Sequence, residues 1–201
     1  MSWPRTTQGA CALVLGLTAA CGGARPAGPA QPREMLVEVL PRGARLVLDG
    51  RPLGPGNRPL PAPPPGGHVL RVEAEGYEPA ERPLPDGDLA GVRVAEVLRP
   101  AGFAAAWALD YDDPAPLALA ASFLARRGSA RDAADYAERA LALDRGNALA
   151  HRALGDAWQR LGDRRRAADA WTEYLRLAPE APDAREVSAL VDEARGDVTV
   201  R

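Results

Sequence analysis

Ala140-Leu141-Ala142-Leu143-Asp144 is matched, 34 residues on, by Tyr174-Leu175-Arg176-Leu177-Ala178. The same offset sets Gly128 over Gly162, Ala133 over Ala167, Leu124 over Trp158 and Ala121 over Gly155. Small and large apolar residues recurring at such a period mark an array of helix-turn-helix units, each burying its apolar face against its neighbours. The small residues let paired helices approach closely, and the bulky ones fill the space between hairpins. Such an array points to binding before catalysis.

The residues at these offsets resemble the tetratricopeptide repeat. In the unit 148–181, Leu154, Gly155, Trp158, Ala167, Trp171, Tyr174 and Pro179 stand where that repeat keeps L, G, Y, A, F, A and P, and only Tyr174 departs in type. The unit 114–147 carries Leu117, Ala121, Leu124, Gly128, Ala133 and Ala140, with Ala137 at the aromatic position and Arg145 at the proline position. Two units do not bury a continuous core, since about three are needed, so further layers are expected on both sides. One period back, Ala106-Trp107-Ala108-Leu109-Asp110 falls on Ala140 to Asp144, with Phe103 at the aromatic position, so 100–113 reads as a half-repeat helix starting near Pro100. Beyond Pro179, Val187, Leu190, Val191 and Ala194 recur at helical spacing, giving a capping helix over 182–195 and a short tail over 196–201. The helices then number about six.

The chain has 201 residues, 46% hydrophobic and 26% charged, with a net charge of −2. So weak a charge gives no electrostatic case for a nucleic acid partner. All 25 basic residues are arginine and isoleucine is absent, as a GC-rich genome would leave them. Proline and glycine crowd into residues 22–102, which separates an extended N-terminal half from a helical C-terminal half.

Residues 1–20 carry Arg5 and then an uncharged run from Gly9 to Ala20, too short to span a bilayer, and read as a secretory signal. Its end, Leu17-Thr18-Ala19-Ala20-Cys21-Gly22-Gly23, resembles the lipobox of bacterial lipoproteins. That resemblance implies diacylglycerol on the Cys21 sulfur, cleavage before Cys21 and acylation of the new amino terminus, such as by palmitate. Several chains make a strong anchor, because each buried methylene contributes about 0.8 kcal/mol. Cys11 leaves with the signal, so the mature chain keeps one thiol and forms no internal disulfide. Residues 21–33 are a proline-rich tether that, at about 3.1 Å per residue, holds the folded part about 35 Å from the bilayer. In lipoproteins an aspartate after the cysteine often signals inner-membrane retention; Gly22 therefore points to the outer membrane, facing the periplasm.

Residues 34–99 alternate in short runs. Leu36 to Leu40, Arg45 to Leu48, His68 to Glu73 and Val92 to Val97 suit half-buried strands, with turns at Asp49-Gly50, Pro65-Gly66-Gly67 and Asp86-Gly87 and a bulge near Ala95 to Val97. The region resembles the PEGA domain, a small exported β-sandwich. Pro41-Arg42-Gly43-Ala44 stands where that family has P-E-G-A, followed by Asp49-Gly50, Pro65-Gly66-Gly67-His68 and Glu75-Gly76-Tyr77-Glu78-Pro79. Gly76 can take a positive φ and let Tyr77 fold onto the sheet. So small a domain is marginal alone and is expected to dock rigidly on the first helix that follows it. The expected fold class is α+β: a PEGA-like sandwich and then a helical solenoid.

Catalytic chemistry is not indicated. The two histidines, His68 and His151, lie in different domains, and no metal cluster of recognisable spacing exists. Asp110, Asp112 and Asp113 lack EF-hand spacing and suit a helix cap. No G-x-S-x-G, H-E-x-x-H or P-loop occurs. The expectation is no enzyme, no metal and no cofactor. The resemblance to tetratricopeptide arrays implies a groove lined by the first helix of each unit. Here those positions are Ala115, Ala118, Ser122, Ala125 and Arg126, then Leu149, Arg152, Asp156, Gln159 and Arg160. The side chains expected to hold a partner are Ser122, Arg126, Arg152, Asp156, Gln159 and Arg160, whose arginines favour an acidic peptide or anionic glycan. The chain is expected to be an envelope-anchored scaffold lipoprotein that binds a protein or peptide. The alternative is cell-wall or surface-polysaccharide binding through the β domain.

Overall fold

The computed structural model describes residues 33–104 and 108–196. The expectations for the signal peptide, Cys21, nearly all of the tether and the tail after Gly196 lie outside the described residues. Nine strands come first: β1 Glu34–Leu40, β2 Arg45–Leu48, β3 Arg51–Pro55, β4 Arg58–Pro61, β5 Val69–Glu73, β6 Tyr77–Glu78, β7 Ala80–Pro83, β8 Arg93–Val97 and β9 Arg99–Pro100. Five helices follow: α1 Pro114–Arg127, α2 Ala130–Leu143, α3 Ala148–Arg160, α4 Arg164–Leu177 and α5 Ala184–Gly196. The architecture is a β-sheet region followed by packed helices. None of the described helices is long and apolar enough to cross a membrane.

The strands form sheets in the orders β4-β1-β8, β3-β2-β5-β7 and β6-β9. Alternation sends Met35, Val37 and Val39 of β1, Leu46 of β2, and Leu70 and Val72 of β5 into one cluster shared by the two larger sheets. Asp49 and Gly50, with φ of 49° and 79°, make the two-residue turn between β2 and β3. Strands β3, β4 and β7 carry Pro52, Pro55, Pro59, Pro61 and Pro83 and all lie at sheet edges, where a missing N–H breaks no ladder. The expected bulge is not in β8, which runs parallel to β1 in regular register; the irregularity falls between Leu46 and Val47, where β2 meets β3.

Three of the helices are started by side-chain caps. Asp113 caps α1 by accepting from the Ala115 N–H at 3.0 Å, Asn147 caps α3 through the Ala150 N–H at 3.0 Å, and Asp163 caps α4 through the Arg166 N–H at 3.0 Å. Gly128 and Gly162, with φ of 87° and 84°, turn the chain between the helices of each pair. Successive helices pack in order, and α1 also packs on α3. A Cβ placed on Gly155 would fall within the indole of Trp171, so α3 and α4 interlock through a residue without a side chain and the largest one available.

Among the described residues of 100–113, the expected half-repeat helix is not formed. Pro100 belongs to β9, which pairs with β6; the Ala101 N–H bonds to the Gly76 carbonyl at 2.9 Å, and Gly102 turns the chain at φ 79°. The chain is thus held to the sheet where a helix would have to begin. Residues 108–113 are turns and irregular backbone, and Ala105, Ala106 and Trp107 lie outside the described residues. The segment still covers α1: Phe103 is buried and meets Phe123 edge-on, centroids 5.5 Å apart, and Tyr111 joins the same core cluster. The described helices are five, where about six were expected.

The sheets dock on α2 through polar contacts and share an apolar core with the first helix. Tyr136, fully buried, donates its hydroxyl to the Leu98 carbonyl with the Leu40 carbonyl at 3.4 Å, and its ring stacks on Tyr77 at 6.4 Å. The Tyr77 hydroxyl reaches Asp132 at 2.8 Å, and the Arg42 N–H reaches Asp135 at 3.0 Å. Leu40 and Val97 of the sheets join the core of α1, α2 and α3.

Candidate functional site

Helix α3 sets the centre of the candidate groove, because Arg152, Asp156, Gln159 and Arg160 follow at i, i+4, i+7 and i+8 and so share one face. Arg152 is not a free cation. It pairs with Asp156 on its own helix and donates from Nε to Asp183 Oδ2 at 3.0 Å, Asp183 lying just before α5. Asp156 also accepts the Trp171 indole N–H at 3.2 Å, and Asp183 accepts the Tyr174 hydroxyl. One guanidinium, two carboxylates and two aromatic donors therefore tie α3 to α4 and to the start of α5. The Tyr174 hydroxyl and the Arg152 guanidinium hold the Asp183 carboxyl below its ordinary range against the opposing effect of burial. Burial pulls the pKa of the Arg152 guanidinium down, and its bond to Asp183 with the charge of Asp156 more than offsets this.

Arg126 and Arg160 remain at the surface. Arg126 donates to the Ser122 hydroxyl at 3.0 Å one turn back, and Arg160 lies 3.4 Å from the Asp156 carbonyl. Both bonds stay within one helix and leave the guanidinium exposed. Gln159 is exposed, as is Leu149 at 36%, whereas Ala118 and Ala125 are buried and present nothing to a partner. The six expected side chains thus divide: Arg152 and Asp156 hold the fold, and Ser122, Arg126, Gln159 and Arg160 face outward.

Tyr174, Trp171 and Asp183 are partners of Arg152 and Asp156 that the sequence reading does not identify. A signal existed for Asp183, which stands 34 residues after Leu149. Carried one period further, the groove positions 149, 152, 156, 159 and 160 become Asp183, just before α5, and Glu186, Leu190, Glu193 and Ala194 on it.

The acidic group before α1 and His68 have structural partners. Asp112 pairs with Arg93 at 3.2 Å and with Arg139, and both guanidinium groups lie over the Tyr111 ring, at 5.3 and 4.1 Å. Asp110 accepts the Asp112 N–H at 2.9 Å. His68 sits 2.6 Å from Asp49 and 2.8 Å from the Pro64 carbonyl, closing the β-turn region, and these bonds raise its pKa. No group of three or more His, Cys, Asp or Glu side chains is placed to hold a metal among the described residues.

The turn Pro41-Arg42-Gly43-Ala44 closes with the Ala44 N–H on the Pro41 carbonyl at 3.0 Å, and Gly76 takes φ 82° before Tyr77. These are two of the four elements on which the β region's resemblance rests, and the family model of the PEGA domain matches residues 34–85. Residues 34–85 are a PEGA domain. Its first sheet extends past the match, since β8 pairs with β1 from outside it. The 41–44 turn and the Gly76-Tyr77 element of the PEGA domain both face α2. Arg42, where the family has glutamate, lies 3.6 Å from Asp135 and 3.1 Å from Glu138; a glutamate there would meet two carboxylates. No curated protein matches the chain.

Proposed function

We propose that the chain is a lipid-anchored scaffold of the bacterial cell envelope, in which a short tetratricopeptide array holds a partner protein or peptide. The lipobox-like run ending at Cys21 supports the anchor and an outer-membrane, periplasm-facing location. Two helix pairs in the 34-residue register, followed by α5 in phase with them, support the array. The observation that carries the binding role is the shared face of α1 and α3, where Arg126, Gln159, Arg160 and Leu149 stay exposed after the internal polar groups have found partners. Nothing in the residues favours catalysis, so binding is the proposed activity.

The test is crosslinking pull-down from cells with wild type and Arg126→Glu/Arg160→Glu. Loss of the main captured partner supports the groove, and an unchanged partner set removes it. Arg152 is left intact because its substitution would loosen α5 and confuse the readout. Incorporation of labelled fatty acid into wild type but not Cys21→Ala tests the anchor.

The second reading, polysaccharide binding through the PEGA domain, is favoured by a shallow recess of about 430 Å³ lined by Arg45, Arg71, Glu73, Glu75 and Tyr77. Retention of the full chain on purified peptidoglycan, lost on Arg45→Glu but not on Arg126→Glu/Arg160→Glu, would support it in place of the first.

A further inference from the structure

The face that carries Arg126 and Arg160 does not end at α3. Asp183 meets Arg152 near the start of α3, while Leu190 and Glu193 share a cavity with Gln159 near its end. Helix α5 therefore follows the direction of α3, meeting it through these side chains, while α1 packs directly on α3. Asp183, Glu186, Leu190 and Glu193 follow at i, i+3, i+7 and i+10, one face of α5, while Val187, Val191 and Ala194 turn into the core with Trp171. Helices α1 and α3 pack directly, and α5 borders them across the Arg152–Asp183 pair and the cavity.

The charge of this face reverses from α1 and α3 to α5. Helices α1 and α3 expose Arg126 and Arg160, whereas α5 exposes Glu186 and Glu193, neither of which has a hydrogen bond or ion pair among the described residues. The Arg152 network between them is already satisfied from within. The cavity between α3 and α5 measures about 250 Å³, with Ala167, Leu190 and Ala194 as apolar wall and Gln159 and Glu193 at the rim. An apolar wall below a carboxylate suits a lysine or arginine, whose stem is apolar and whose head is charged. Arg164 also borders the cavity and has a contact of its own.

We infer that the groove is bipolar and takes an extended peptide segment bearing an acidic residue against Arg126 and Arg160 and a basic residue against Glu186 and Glu193. The inference rests on the groove reading above and specifies its partner. Packed helices lie about 8–10 Å apart, and an extended chain advances about 3.3 Å per residue. The acidic and basic residues of the partner are therefore separated by about three to six positions.

The experiment is selection from a displayed library of random peptides, long enough to cross three helices, against the immobilised full chain. Wild type should enrich sequences with an acidic and a basic residue at that separation. A synthetic peptide from the selection should bind Glu186→Gln/Glu193→Gln about three- to tenfold more weakly, as two surface charge pairs would give. The same loss should follow when its basic residue is replaced by alanine. Enriched sequences without the basic residue, or an affinity change under about twofold in the glutamine variant, would overturn the bipolar groove. If Arg126→Glu/Arg160→Glu then still abolishes binding, the groove itself stands and only its charge reversal falls. If neither variant changes binding, or no sequence enriches, both readings fall. Circular dichroism of the variants shows that the helices are retained.

Discussion

The pair α1–α2 and the pair α3–α4 are built on one register and close their interiors differently. In the first, Ala121 and Ala137 stand where the second has Gly155 and Trp171. The first pair keeps its large aromatic one position earlier, at Tyr136, and sends it out to the Leu98 and Leu40 carbonyls of the sheets. The second turns its aromatic inward against a glycine and uses the indole N–H to hold Asp156. A shift of one residue along a helix rotates a side chain by about 100°, and here it turns a packing residue into a docking residue. The first pair is the joint to the PEGA domain, and the second anchors α5 and the outward face.

Substitutions can break this contrast. Trp171→Ala should cost about 3–5 kcal/mol in urea unfolding, the range for deleting a buried aromatic, with the loss greatest around α4 and α5. Gly155→Ala should cost about 1–3 kcal/mol by overpacking, although alanine favours helix over glycine by about 1 kcal/mol. The reverse change at the matching place, Ala121→Gly, should cost only about 0.5–1 kcal/mol. Stabilisation by Gly155→Ala would show that the two pairs do not differ as described. Tyr136→Phe removes a donor from a buried carbonyl and should cost about 1–3 kcal/mol, read as a lower urea midpoint for the sheets and α2 together.

The helical register was legible because the positions that repeat are those on which close packing depends. Gly128 and Gly162, one period apart, both turn the chain, and Asp113 caps α1 as the acidic group suggested. The expected half-repeat helix is absent from the described residues: Ala106 to Asp110 carry the right side chains, but Pro100 pairs with β6 and Ala101 bonds to the Gly76 carbonyl, backbone bonds that leave no trace in side-chain periodicity. Edge strands β3, β4 and β7 were hidden by their prolines. The importance of Arg42 could not be read from a turn alone, since its reason is Asp135 and Glu138, about 90 residues away in sequence. Arg152 was legible as a groove position but not as a filled one, because its second carboxylate comes from the linker before α5.

The smallest expected effect is in titration, where the two pairs should behave with opposite sign. Asp183 has a folded pKa below its ordinary 3.8, so its contribution to stability is present above that value and lost as pH falls through the folded one. Asp135 is raised above 3.8, burial outweighing Arg42, so its contribution grows as pH falls through its folded pKa and is weakest above it. Carboxyl NMR titration of the folded chain should find Asp135 titrating above 3.8 and Asp183 below. The reverse order would mean that the joint and the α5 anchor have been confused.

The central claim is that the sheets and the first helix pair are one body, held through α2, which presents the outward face of α1, α3 and α5. Native-state hydrogen exchange in rising denaturant tests it most directly. The account predicts that amides of β1, β8 and α2 exchange through a common opening with one free energy and one denaturant dependence, and that Tyr136→Phe lowers all of them together. Strands β1 and β8 exchanging through an opening that leaves α2 protected, in the unsubstituted chain, would contradict it.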